Sequence, residues 1–243
     1  MEVAPGIRLL TQGIVNFYLI EQGGRLVLVD AGAPGDWDYF VRTLAELGRT
    51  VDELEAVLVT HAHADHTGFA ERARTEAGAR TWIHAQDAAS AKGAKQPKND
   101  GKMVSYLFRA ELYRTAISLS RRGGTKIIPI QEVSTFSDGE VIDVPGRPRA
   151  VHVPGHTPGS SSLFFEGANA LLTGDALVFR NPLTGRTGPQ APPSGLNQDT
   201  DQAFRSLEVL ERIPAQIVLS GHGDPWKQGA AEAVRLARAA GRS

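Results

Sequence analysis

The densest chemistry in this 243-residue chain is the hexapeptide His61-Ala62-His63-Ala64-Asp65-His66. In an extended segment, residues two apart point to the same side, so His61 and His63 can grip one ion. A turn after them would aim Asp65 and His66 at a neighbouring position. Ala62, Ala64 and Gly68 are small and leave room for close ligand packing. Other ligand-competent groups stand where apolar runs stop. Leu26–Val29 runs into Asp30, Ala56–Thr60 into His61, Val151–Gly155 into His156, Ala170–Gly174 into Asp175, and Ile217–Gly221 into His222. The chain has no cysteine. Any transition metal must therefore be held by His and carboxylate, and a thiolate nucleophile, a CxxC redox pair and a disulfide framework are excluded.

Positioning these groups is a task for buried strands. Near-continuous apolar runs mark strands covered on both faces, and polar groups at their ends gather along one rim, where ligand sites of layered folds lie. Val15–Ile20 and Arg25–Val29, joined through Gly23-Gly24, read as a hairpin. Ala56–Val59, Thr81–Ile83, Lys126–Ile130, Glu140–Val144, Arg149–Val153, Ser162–Phe165, Ala170–Leu172 and Gln216–Leu219 read as strands. Helical spacing is expected over Asp36–Leu47, Gly68–Ala77, Thr200–Arg212 and Gly229–Ala240. Asn181–Leu196 reads as a Pro/Gly-rich loop, mobile and flanking the site. With no linker-like break, one domain over residues 1–243 is expected, long enough to fold without a staple.

Composition narrows the function further. Lys and Arg number 26 against 27 Asp and Glu, a net charge of −1, which disfavours a general nucleic-acid binder. That average hides an asymmetry. Residues 92–126 carry nine lysines and arginines, Lys102 among them, against Asp100 and Glu111, a net of +7 that leaves −8 on the rest. Met103, Leu107, Ala110, Tyr113, Ile117 and Ser120 fall there at helical spacing, so this basic segment is expected to be an amphipathic helical insertion. No apolar run approaches the roughly 20 residues of a membrane span, and no secretory signal is evident, so a cytoplasmic protein is expected.

These motifs, in this order, resemble the metallo-β-lactamase superfamily. The pattern comprises Asp30, the His61–His66 motif, Gly155-His156-Thr157-Pro158-Gly159, Thr173-Gly174-Asp175 and Gly221-His222-Gly223, and spans most of the chain. The resemblance implies an α+β fold, a four-layer αβ/βα sandwich with the site at one edge of two packed sheets. It implies two divalent ions, zinc first and Mn or Fe as alternatives, the first on His61, His63 and His156. The second would sit on Asp65, His66 and His222, with Asp175 bridging and Asp30 anchoring the motif from behind. The activity implied is hydrolysis of a small ester, thioester or lactone by a metal-bridging hydroxide, with Asp65 also handling its proton. The basic segment would then be a lid that draws in an anionic small-molecule substrate, its Met103, Tyr106, Leu107, Ala110 and Tyr113 supplying an apolar wall or a homodimer contact.

Subfamily signals conflict. The Gly155–Ser160 and Thr173–Asp175 contexts are similar to hydroxyacylglutathione hydrolases, yet Gly223-Asp224 follows His222 where those enzymes have Glu-Tyr. Acyl-homoserine lactonases place a Tyr three residues after the bridging Asp, and here stands Val178. β-Lactamases with a Cys ligand are excluded by composition; the Cys-free subclass uses no bridging Asp and is exported behind a signal. A mono-iron persulfide dioxygenase and a nuclease complete the alternatives. His84 and His152 belong to no motif and are expected to be structural, as is Trp226.

Overall fold

The computed structural model describes residues 1–101 and 103–242, so Lys102 lies outside the described residues. Strands β1 (Glu2–Ala4), β2 (Ile7–Gln12), β3 (Val15–Gln22), β4 (Arg25–Val29), β5 (Leu54–Val59), β6 (Arg80–His84) and β7 (Ser134–Phe136) form one sheet in that order. Its first half is antiparallel, and β4 to β7 are parallel. A second sheet has the order β13 (Ile217–Ser220), β10 (Ala170–Gly174), β9 (Ser161–Phe165), β8 (Arg149–His152). A ribbon of β11 (Val178–Arg180) and β12 (Thr187–Gln190) leaves the end of β10.

Alternation along the strands builds four layers. Leu26 and Leu28 of β4 enter one core while Val27 and Val29 enter the next, and Val57 and Val59 of β5 likewise oppose Ala56 and Leu58. The first core is closed by α1 (Trp37–Glu46), α2 (Ala70–Ala77) and α3 (Ala88–Ala91). The central core lies between the sheets, where Tyr18, Val29 and Leu58 share a cluster with Leu163, Phe165, Leu172 and Leu219. The third lies between the second sheet and α5 (Thr200–Glu211) with α6 (Ala230–Ala240), through Phe164, Leu171, Val218, Leu207 and Val234. This is the α+β four-layer sandwich that the motifs imply. No helix among the described residues is long and apolar enough to cross a membrane.

The basic segment contains a short 3-10 turn, Met103–Tyr106, and then α4 (Ala110–Arg121). Two ion pairs strap α4 to the body. The buried Glu111 carboxylate takes Arg180 at 2.5 Å, which holds that acid below its usual pKa, and Arg122 meets both oxygens of buried Asp36 at 2.9 and 3.1 Å.

Several expectations need correction. Residues 126–130 form no strand: Pro129 lacks a backbone donor, and the Ile130 N–H is taken by the Ala91 carbonyl. Residues 140–144 make only one bridge, Val141 to Arg149, because Val144 folds back on Ile142 before Pro145-Gly146. The 181–196 stretch is not all loop, since it contains β12, whose Gly188-Pro189 disguises a strand. The helix expected to run from Met103 is broken at 107–109, which changes the phase of its inward face.

Phe69 is fully buried, its ring centroid 5.6 Å from Phe17, 5.6 Å from Trp37 and 5.4 Å from Phe40. Phe69→Ala should therefore cost about 3–5 kcal/mol of unfolding free energy in a denaturant titration. A loss below about 1 kcal/mol would mean that this aromatic cluster is not the keystone of the first core.

Candidate metal centre

Each of the seven sequence-identified donors reaches one point along the rim where both sheets end. His61 follows β5 by two residues, and the motif then turns, with the His66 and Thr67 N–H groups donating to the His63 carbonyl. His156 follows β8 and its turn, Asp175 directly follows β10, and His222 lies two residues beyond β13. His61, His66, His156, Asp175 and His222 are buried; His63 and Asp65 are partly exposed.

The donors fall into two electrostatic groups. In the first, His63 Nδ1 lies 3.1 Å from His61 Nε2 and 3.0 Å from His156 Nε2. Burial and the neighbouring imidazoles depress the pKa of His61 strongly and that of His63 to about 3; burial likewise depresses His156, so all three are neutral. In the second, Asp175 Oδ2 is 3.1 Å from His222 Nε2, Asp175 Oδ1 is 3.6 Å from His66 Nε2, and Asp65 Oδ2 is 3.9 Å from both imidazoles. Burial would lower His66, but Asp30, Asp175 and Asp65 overcome it and lift the group to about 10; burial opposes His222 too, and Asp175 raises it above its ordinary value. That field invites positive charge.

The arrangement fits divalent ions. His61/His63/His156, His61/His66/Asp175 and Asp65/His66/His222 each bring one ligand atom per residue within 4.8 Å of the others. His66 Nε2 and Asp175 Oδ1 are buried with no hydrogen-bond partner, a costly condition that a cation would relieve. The inner nitrogens are free to ligate because the outer ones are engaged. His66 Nδ1 donates to Asp30 at 2.8 Å, His156 Nδ1 to Asn197 Oδ1 at 3.0 Å, and His222 Nδ1 to the Ile14 carbonyl at 2.7 Å. Such outer contacts fix the tautomer and the ring orientation. Close approach also demands Gly221, where a Cβ would stand 2.3 Å from Asp175 Oδ1.

Asp30 sits at positive φ and accepts from Thr60 N, Thr60 Oγ1 and His66 Nδ1 at 2.8–2.9 Å, so it braces the motif without facing the donors' meeting point. A second brace escaped the sequence reading. Buried Asp87 accepts from Ala62 N at 2.8 Å, Thr157 Oγ1 at 2.7 Å and Gly159 N at 2.7 Å, tying the His61–His66 loop to the His156 loop. Asn197 was missed as well. Nothing in the residues around either marks it, because both act across the fold.

His84 and His152 lie away from the donors and stack with centroids 4.1 Å apart; His152 Nε2 donates to Pro158 O and His84 Nδ1 accepts from Gln86 N. Trp226 stacks on Phe179, and its Nε1 donates to Gly229 O, a packing role.

The donors open onto a cavity of about 720 Å³. Residues of the basic segment form its wall, but the inward residues are Met103, Leu112, Thr115, Ala116 and Leu119 with Lys126. Of the five wall residues expected, only Met103 lines the cavity: Leu107, Ala110 and Tyr113 face solvent, and Tyr106 is buried against Ser194.

A family model for the metallo-beta-lactamase superfamily matches residues 10–222. A Bacillus subtilis protein named probable metallo-hydrolase YflN is 27% identical over 239 residues, covering 92% of this chain and 86% of its own. The Homo sapiens acyl-coenzyme A thioesterase MBLAC2 is 28% identical over 181 residues, 74% of this chain and 59% of its own. Among solved structures, metallo-beta-lactamase family protein TTHA1429 from Thermus thermophilus superposes with a TM-score of 0.70 at 24% identity, covering 97% of this chain and 79% of that one.

The Asp87 brace and the His84–His152 stack are each open to test. Asp87→Asn retains the shape but cannot accept as strongly from three donors; metal affinity in a competition titration should fall about 10–100-fold. Unchanged affinity would remove Asp87 from the positioning machinery. His84 has its pKa depressed by burial and by His152. Below about pH 6.5 the unfolded chain therefore binds more protons than the folded one, so stability falls as pH drops through that value. His84→Phe should make this acid limb of a Tm–pH profile shallower without removing it, since His61, His63 and His156 act in the same direction.

Proposed function

The chain belongs to the metallo-β-lactamase superfamily, and from that membership we propose that it is a hydrolase of small ester, thioester or lactone bonds dependent on two divalent ions. The observation that carries the reading is the convergence of seven His and Asp donors, in a neutral and an acidic half, beside an open cleft. His61, His63 and His156 would hold one ion, Asp65, His66 and His222 the other, and Asp175 would face both. Nitrogen and oxygen donors without sulfur suit zinc first, with Mn or Fe as alternatives. Bound ions would supply Lewis-acid polarisation and water acidified to a pKa of about 7.

The protein's own groups do the rest. Asp65 is the partly exposed carboxylate among the donors and lines the cavity, which supports a role in taking a proton from the attacking water and returning it to the leaving group. Asp30, Asn197 and the Ile14 carbonyl hold three imidazoles in the ligating tautomer. The thioesterase relative favours a thioester among the three bond types. A hydroxyacylglutathione-hydrolase-like or lactonase-like specificity stays within this proposal, as do a cytoplasmic location and a homodimer built on exposed Leu107, Phe108, Tyr113 and Ile117.

Elemental analysis of the purified protein should give about two divalent ions per chain. A panel of S-lactoylglutathione, acyl thioesters, homoserine lactones, a chromogenic cephalosporin and aryl esters identifies the bond cleaved. His61→Ala and Asp175→Ala should each reduce turnover more than a hundredfold with far-UV circular dichroism retained. About one iron per chain with persulfide oxidation, or full turnover in both variants, would overturn the proposal.

A further inference from the structure

Resting on the hydrolase reading, we infer that the cavity beside the donors is an acyl-chain slot, and that the substrates are esters or thioesters of medium-chain apolar acyl groups carrying an anionic group. The volume of about 720 Å³ lies in the range that encloses a small ligand. His63, Asp65, Asp175 and His222 stand at one end, where the scissile carbonyl belongs. Away from them the wall is apolar, built from Ile14, Met103, Leu112, Leu119, Leu183 and Leu196.

Besides the donors, Lys126 and Thr125, the polar side chains in that wall each spend a donor group on the protein's own backbone. Thr115 Oγ1 donates to the Pro182 carbonyl at 2.6 Å, Asn99 Nδ2 to Gly195 O at 2.9 Å, and Gln96 Nε2 to Ala62 O. A sugar or peptide would strand its polar groups against such a wall, whereas an alkyl chain gives up nothing on entering. Lys126 is the one Lys or Arg among the described residues lining the cavity; it is exposed and has no ion pair among them. It meets the anionic group at the solvent end. The slot is firm rather than floppy, because the Glu111–Arg180 and Arg122–Asp36 pairs fix α4 in place.

The test is a chain-length series of acetyl, butanoyl, octanoyl and dodecanoyl thioesters with metal-loaded protein, alongside calorimetric binding of octanoate against acetate. For wild type, kcat/KM should climb from acetyl to octanoyl by up to roughly fourfold per buried methylene, and octanoate should bind at least tenfold tighter than acetate. Ala116→Trp, at a solvent-touching position that can carry a larger side chain, should collapse the octanoyl-to-acetyl ratio at least tenfold. Leu112→Gln should do so by making the wall polar. Lys126→Ala should keep the ratio but raise KM for an anionic thioester, with weaker salt dependence. Turnover with a flat chain-length profile and no octanoate preference overturns the slot while sparing the hydrolase reading. Octanoate preference without hydrolysis of any thioester, ester or lactone in the panel supports the slot and sinks the hydrolase reading instead.

Discussion

The structure is organised around an electrostatic conflict: five imidazoles and two carboxylates aim lone pairs at one small volume. Their ligand atoms come within 3.0–3.9 Å of one another across the site, mostly out of contact with water. Neutral imidazoles gain nothing from facing each other, and a buried carboxylate oxygen without a donor is expensive. Folding must force the groups together, and a cation repays the cost afterwards. That requirement explains how many contacts are spent on restraint. Nearly every imidazole has its outer nitrogen tied to an oxygen, and Asp30 and Asp87 each collect three donors to hold the loops that carry the ligands.

Restraint of that kind needs a frame that does not yield. Three apolar cores in series supply it, most strands of the two sheets feeding two of them by simple alternation. Close-packed interiors resist small displacements, so strand ends are dependable places from which to aim a side chain. The same frame divides labour. The rim supplies charge and ligands, while the inserted α4 supplies an apolar wall and is locked to the rim by ion pairs rather than by backbone pairing.

Where signals are local, the sequence reveals them. The His61–His66 motif and the residues following apolar runs single out the seven groups that the fold brings together, because ligand spacing and strand termination are properties of a few neighbouring residues. The hairpin at Gly23-Gly24, the helices over 37–46 and 200–211, and the layered architecture are legible for the same reason. What stays hidden is set by distant partners. Asp87 reads as an ordinary acid until Thr157 and Gly159 arrive 70 and 72 residues later. Residues 126–130 are apolar enough for a strand, but Pro129 has no N–H to give and the Ile130 N–H goes to Ala91 rather than to a neighbouring strand, and the inward face of α4 depends on a helix break that periodicity alone does not mark.

One hydrogen bond joins the extremes of the chain. His222 Nδ1 donates to the Ile14 carbonyl, and beside it Asn16 and Tyr18 donate to backbone oxygens of Ser220 and Gly223. Burial pushes the Tyr18 phenol up, so it remains a donor at any physiological pH. His222, in the acidic half of the donor cluster, is thus delivered by one of the last strands and oriented by the turn between β2 and β3. During synthesis the His61–His66 motif leaves the ribosome with no finished cage to fill, and this long loop must close before the acidic half exists. The donor cluster is therefore complete only once residues as far apart as 14 and 222 have met in the fold.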